Sequence, residues 1–190
     1  DPVVQSLLKN STILDDDTDD AQQLVEWMKD KKFGWQICYR ASEDGWGSAD
    51  FHRKCDDVGP TVTLIKCGTN VFGGFTDQSW KVSAQCGGCK RSNLSFVFSL
   101  RNKEKLPPFK CPIKNDQIDK AIWCHPSNGA NFGGGNLYIA NSANTNQMSY
   151  ATCFGSVYKL PQGYQPCTPQ TQSLLAGSEN FTPTKIEVFC

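Results

Sequence analysis

Residues 59–80, GPTVTLIKCGTNVFGGFTDQSW, decide the fold of this chain. Residues 62–66 form a β-branched and aliphatic run, and residues 70–75 form a second one beyond a Gly-Thr-Asn turn signal. Phe72-Gly73-Gly74 inside the second run means a strand whose backbone bends, or approaches its neighbour too closely for a side chain. The same device returns in residues 131–140, NFGGGNLYIA, where Phe132-Gly133-Gly134 leads into another β-rich run. Gly73, Gly74, Gly133 and Gly134 are therefore expected to be structural, holding positive φ or admitting the rings of Phe72, Trp80 and Phe132. Neither stretch carries a catalytic motif.

Outward from these blocks, residues 95–100, 122–124, 137–140, 156–160 and 185–189 read as further strands, separated by Gly, Pro, Asn and Ser clusters. Short strands with few helices predict a mainly β (α+β) fold, a two-sheet antiparallel β-sandwich. On the N-terminal side, residues 15–20, DDDTDD, precede Ala21, Leu24, Val25 and Met28. Apolar spacing of i, i+3, i+4, i+7 behind acids that suit the helix dipole predicts an amphipathic helix capped at Asp19 or Asp20. Residues 35–39 alternate, with Trp35, Ile37 and Tyr39 expected on one face before the Asp44-Gly45 turn. Ser48 caps a short second helix that places Phe51 and Cys55 one turn apart, and helical content is expected to end there. The polar residues 141–149 read as an exposed loop.

A chain of 190 residues buries enough surface for a proper core, so a single domain is expected. Residues 1–12 are its N-terminal extension, 13–32 a helical entry segment and 33–190 the β-sandwich. Nineteen basic against nineteen acidic residues leave no net field to attract nucleic acid or an anionic membrane. No apolar run approaches the roughly 20 residues that span a bilayer.

Ten cysteines, Cys38, Cys55, Cys67, Cys86, Cys89, Cys111, Cys124, Cys153, Cys167 and Cys190, form an even set spread over the chain. Such a set favours a disulfide framework and an oxidising compartment, with all ten paired and Cys190 fastening the last strand. The sequons at Asn10, Asn93 and Asn180 and the start at Asp1 fit a mature secreted, N-glycosylated product, with Pro183 disfavouring use of Asn180.

The candidate chemistry is sparse. Cys86 and Cys89 have redox-motif spacing, but the two glycines between them suit a hairpin turn better than the helix start that lowers a thiol pKa. A zinc set drawn from Cys86, Cys89, Cys111, Cys124 and His125 competes with bridging of the same thiols. His52 and His125 are the only histidines, His52 reading as a half-exposed surface residue and His125 as a loop residue; no nucleophile-elbow pattern accompanies them. Asp15, Asp16, Asp17 and Asp19 are calcium candidates by carboxylate density alone, without the central Gly and terminal Glu of an EF-hand; helix capping and solvation explain them, and no cofactor is expected. Trp46, between two glycines in a turn, reads as an exposed anchor.

The first block, taken with residues 35–46 (WQICYRASEDGW) and 50–55 (DFHRKC), resembles the TLDc domain, known for its oxidation-resistance members. The likeness runs from about Ile13 to Phe189 through the second Phe-Gly-Gly-Gly block and a closing Ile186-Glu187-Val188. It implies a β-sandwich flanked by a few helices, independently of the strand reading. Intracellular members of the family are associated with protection from oxidative damage and with the vacuolar proton pump, without an established catalyst. No catalytic residue transfers, and what carries over is the fold and a non-enzymatic interaction domain. The function expected is extracellular binding of a protein, glycan or small ligand through loops around Trp46, Asp77, Asn141 and Asn144. The alternative is an extracellular redox protein using Cys86 and Cys89.

Overall fold

A computed structural model of the chain describes residues 1–28, 34–83 and 87–190. Helices α1 (Pro2–Asn10) and α2 (Thr18–Trp27) precede strand β1 (Ile37–Arg40) and the short helices α3 (Ala41–Asp44) and α4 (Ser48–Cys55). Then come β2 (Thr61–Cys67), β3 (Asn70–Thr76), β4 (Gly88–Lys90), β5 (Phe96–Arg101), β6 (Phe109–Pro112) and β7 (Ile122–Cys124). They are followed by β8 (Asn131–Phe132), β9 (Leu137–Tyr138), β10 (Ser149–Tyr150), α5 (Pro169–Gln172), β11 (Asn180–Phe181) and β12 (Lys185–Phe189). Two six-stranded antiparallel sheets result, the first ordered β1-β12-β2-β3-β5-β6 and the second β11-β10-β9-β8-β7-β4. The mainly β, two-sheet architecture is the one the sequence predicts.

Strand alternation divides the core in two. Val62, Leu64, Val71, Phe75, Phe96 and Phe98 of the first sheet pack beneath α1 and α2 against Val4, Leu7, Leu14, Ala21, Leu24 and Met28. Ile65, Phe72 and Val97 turn the other way, into the space between the sheets, and meet Ile122, Phe132 and Leu137 of the second. Glycines make the sheets fit. A Cβ on Gly74 would lie 2.5 to 2.7 Å from ring atoms of Phe132, and one on Gly73 would collide with the Thr63 carbonyl. Gly133 and Gly134 hold φ of 66° and 61°. All four glycines are structural, as expected.

Several local expectations shift for physical reasons. Residues 1–12 are largely helical: Asp1 caps α1 by accepting from the Val3 amide, and Pro2 opens the first turn, where its missing N–H costs nothing. The cap of α2 is Asp17, whose Oδ1 accepts from the Asp20 amide at 3.0 Å, rather than Asp19 or Asp20. A β-bulge between Ile37 and Tyr39 breaks the alternation of β1. Trp35 and Ile37 consequently pack on the helix side, while Tyr39 enters the inter-sheet core. Gly47 is the residue before α4, and Asp50 Oδ2 accepts from its amide at 3.0 Å, so Ser48 is the first helical residue and not the cap. Phe51 and Cys55 are both buried, as the one-turn spacing requires.

Helix also returns late, at α5, where Thr168 caps and Pro169 opens the turn. Residues 156–160 make no strand, because Asn136 holds that segment: its Oδ1 accepts from the amides of Val157 and Tyr158 at 3.1 and 3.3 Å. A single bridge, Ile113 to Tyr158, is the β-structure left there. Among the described residues, no helix is long and apolar enough to cross a membrane.

Candidate binding surface

The loop cluster expected around Trp46 is brought together in part. Trp46 follows Gly45, whose φ of 111° only glycine adopts without strain, and its carbonyl accepts from the Ser142 amide at 3.0 Å. Asn141 Oδ1 accepts from the Ser48 amide at 2.8 Å, so residues 141–149 are pinned to the start of α4. Asn144 is exposed in a 3-10 turn, Ala143–Thr145, within that loop. Asp77 stands apart, its carboxylate accepting from Ser92 Oγ and from Gln78 Nε2. Trp46 is half-buried against the inter-sheet core, which corrects its assignment as an exposed anchor. The cavity beside it, about 10 Å³, has room for one water and not for an organic ligand. It is lined by Ser48 and Thr63, whose buried hydroxyls have no protein partner.

A more open surface lies on the outer face of the second sheet. Register places Cys89 opposite Trp123, Asn131 opposite Tyr138, Tyr138 opposite Tyr150 and Tyr150 opposite Asn180. Since Ile122 and Phe132 pair on the inner face, Trp123 and Asn131 share the outer one. The Tyr138 and Tyr150 ring centroids are 4.6 Å apart at 37°. Tyr138 Oη donates to Asn128 Oδ1 at 3.4 Å, and burial, then the neighbouring Tyr150, pushes its phenol pKa up, keeping it neutral. Trp123, Asn128, Asn131, Gly134, Tyr138, Met148 and Tyr150 line an open depression of about 490 Å³. Met148, the last residue but one of the 141–149 loop, is 65% exposed at its rim. Sequence reasoning missed this face, although the alternation in Ile122-Trp123-Cys124 and Leu137-Tyr138 was the signal available.

Among the described residues one bridge, Cys153–Cys167, is formed where the sequence reading pairs all ten cysteines. Cys38, Cys55, Cys67, Cys89, Cys111, Cys124 and Cys190 are thiols. Cys86, half of the proposed redox pair, lies outside the described residues. Cys89 is exposed, and partial burial pushes its pKa up, the opposite of an activated thiol. Cys55, Cys111 and Cys124 are buried as small apolar groups, and burial pushes the Cys124 thiol up to about 11.

Cys38, the residue carried by the bulge of β1, meets two other thiols. A Cys55 hydrogen bond chiefly, and one from Cys190, hold it below the ordinary thiol range, while its Sγ donates to the Val188 carbonyl at 3.3 Å. Burial first, and then Cys38, pushes Cys190 up to about 12. The chain end is thus fastened by hydrogen bonds, including both backbone bonds between Gln36 and Cys190, rather than by a bridge.

Several of the remaining candidates are occupied by structural bonds. His52 is a clasp, correcting its reading as a half-exposed surface residue: Nε2 donates to the carbonyls of His125 and Asn128 at 2.9 and 3.0 Å, and Nδ1 lies 2.8 Å from Asp56. Asp15 pairs with Lys66 at 2.7 Å, a hydrogen bond that holds its carboxyl below the usual range, and Asp17 and Asp20 pair with Arg101. Among the described residues no cluster of His, Cys, Asp and Glu has the arrangement of a metal site, so the zinc and calcium candidates gain no support. Asn93 and Asn180 are exposed, whereas Asn10 is half-buried with Nδ2 donating to the Ser6 carbonyl at 2.8 Å.

The family model described as the TLDc domain matches residues 7–190. A relative from Danio rerio named MTOR-associated protein MEAK7 is 27% identical over 159 residues, covering 82% of this chain and 32% of the relative. The chain therefore spans about a third of the length of that relative.

Proposed function

Because this chain belongs to the TLDc domain family, we propose that it acts by binding and not by turnover, through the 141–149 loop and the aromatic outer face of the second sheet. The observation that carries this reading is the grouping of Trp123, Tyr138, Met148 and Tyr150 around one open depression. Tyrosine and tryptophan supply large contact area at low entropic cost, and contact surfaces draw their strongest anchors from them. The name of the Danio rerio relative, an mTOR-associated protein, favours a protein among the partners.

The compartment in this proposal is extracellular. The exposed sequon at Asn93 supports it, as does the bridge at Cys153–Cys167. Secretion from cultured cells, with loss of glycan mass on enzymatic deglycosylation, is the expected outcome. A photoreactive leucine analogue replacing Met148 should cross-link a partner that the same analogue replacing the exposed Glu104 does not. Equal capture at both positions, or reproducible peroxidase, disulfide-reductase or glycosidase turnover abolished by one substitution, would refute the reading.

A further inference from the structure

The outer row of the second sheet contains a slot. Asn131 sits on β8, one strand from Trp123 on β7 and one from Tyr138 on β9, so the backbone positions that carry the two rings lie on either side of it about 10 Å apart, two strand spacings. Asn131 is recessed between them, 5% exposed, and its Oδ1 has no hydrogen-bond partner. A buried amide oxygen left unsatisfied is costly, and a ligand hydroxyl or amide donor would satisfy it. Asn128, Met148 and Tyr150 complete the lining of the depression. The Gly-Gly-Gly turn shapes the depression beside Tyr150: Gly135, at φ 117°, would place a Cβ 3.2 Å from the Tyr150 ring, tighter than ordinary contact, so the bare backbone lets that ring lie close.

We propose that the slot between Trp123 and Tyr138 binds a neutral sugar ring, with Asn131 at its floor receiving a hydroxyl. The inference rests on the binding reading above and names the ligand class of that same surface. Three features select the ligand. None of the lining residues is charged, which disfavours anionic sugars, phosphates and charged peptides alike. Aromatic faces with a few placed amides suit a molecule that is apolar on its ring faces and hydroxylated at its edge. The strands of the row are already paired on both sides from β10 to β7, so no free backbone edge invites an added peptide strand there.

The test is titration calorimetry and saturation-transfer NMR on the full chain with neutral monosaccharides and disaccharides, alongside a uronic acid as the charged control. Saturable binding of at least one neutral sugar is expected, with the uronic acid excluded. Asn131→Leu removes the amide at similar volume and Tyr138→Ala removes one wall; each should weaken binding about tenfold or more, the loss of one good polar or stacking contact. Tyr138→Ala, at a half-buried position, keeps the test informative if Asn131→Leu fails to fold. Absence of binding to every neutral sugar at millimolar concentration, or affinities unchanged in both variants, overturns the proposal. Cross-linking of a protein through Met148 without sugar binding also overturns it while leaving the binding reading intact, whereas catalytic turnover would remove that reading first.

Discussion

Glu187→Ala should be among the most damaging substitutions in this chain, because a single buried carboxylate ties the N-terminal segment to the first sheet. Glu187 is fully buried on β12. Its Oε1 accepts from the Thr12 amide at 2.8 Å, the Thr12 hydroxyl at 2.9 Å and Arg40 Nε at 3.2 Å, while Oε2 accepts from the Ser11 hydroxyl at 2.7 Å. Truncation strips these donors of their acceptor and leaves Arg40, only 17% exposed, with Glu43 at the surface and the Asn10 carbonyl. Breaking such a pair from one side costs about 3–5 kcal/mol. At about 2–4 °C per kcal/mol for a domain of this size, the melting temperature should fall by roughly 10 °C. Glu187→Gln keeps one acceptor oxygen but turns an NH2 toward a donor, so it should lie between the parent and Glu187→Ala, near 1–3 kcal/mol. Thermal and urea unfolding followed by circular dichroism give both values. A Glu187→Ala protein melting within about 2 °C of the parent, or a Glu187→Gln protein less stable than Glu187→Ala, would refute the argument that this network holds the N-terminal helices in place.

Gly74→Val should fold poorly, since its side chain would have to displace the Phe132 ring between the sheets; a variant with parental melting would contradict the close approach. Trp46→Ala should lower stability by about 1–3 kcal/mol, because the indole is half-buried against the inter-sheet core, and calorimetry showing no change would return Trp46 to the role of exposed anchor. Cys38 should alkylate at lower pH than Cys190 or Cys124, because a lowered pKa gives it the larger thiolate fraction at any pH below theirs. Mass-resolved labelling across neutral to alkaline pH checks this, and Cys190 reacting first would show that the thiol hydrogen bonds are misassigned.

What sequence determined by itself was whatever rests on local pattern. The β-rich runs around residues 59–80 and 185–189 became β2, β3 and β12 nearly residue for residue, because β-branched runs ending in turn residues have few other ways to satisfy their backbones. The Phe-Gly-Gly motifs were legible too, since a glycine inside a strand signals a crowded neighbour even before that neighbour is known. Strands of two or three residues such as β4, β8, β10 and β11 were not legible, because they carry too few alternating positions to stand out from loop. Tertiary structure alone decided what depends on register and long-range contact. One extra residue at Cys38 reversed the side on which Tyr39 packs, and the side chain of Asn136, not a strand partner, claimed the amides of residues 157 and 158. The candidate surface belongs to this second class. Trp123, Asn131, Tyr138 and Tyr150 are scattered over 28 positions of sequence and become neighbours only because four short strands pair in one register and present the same face.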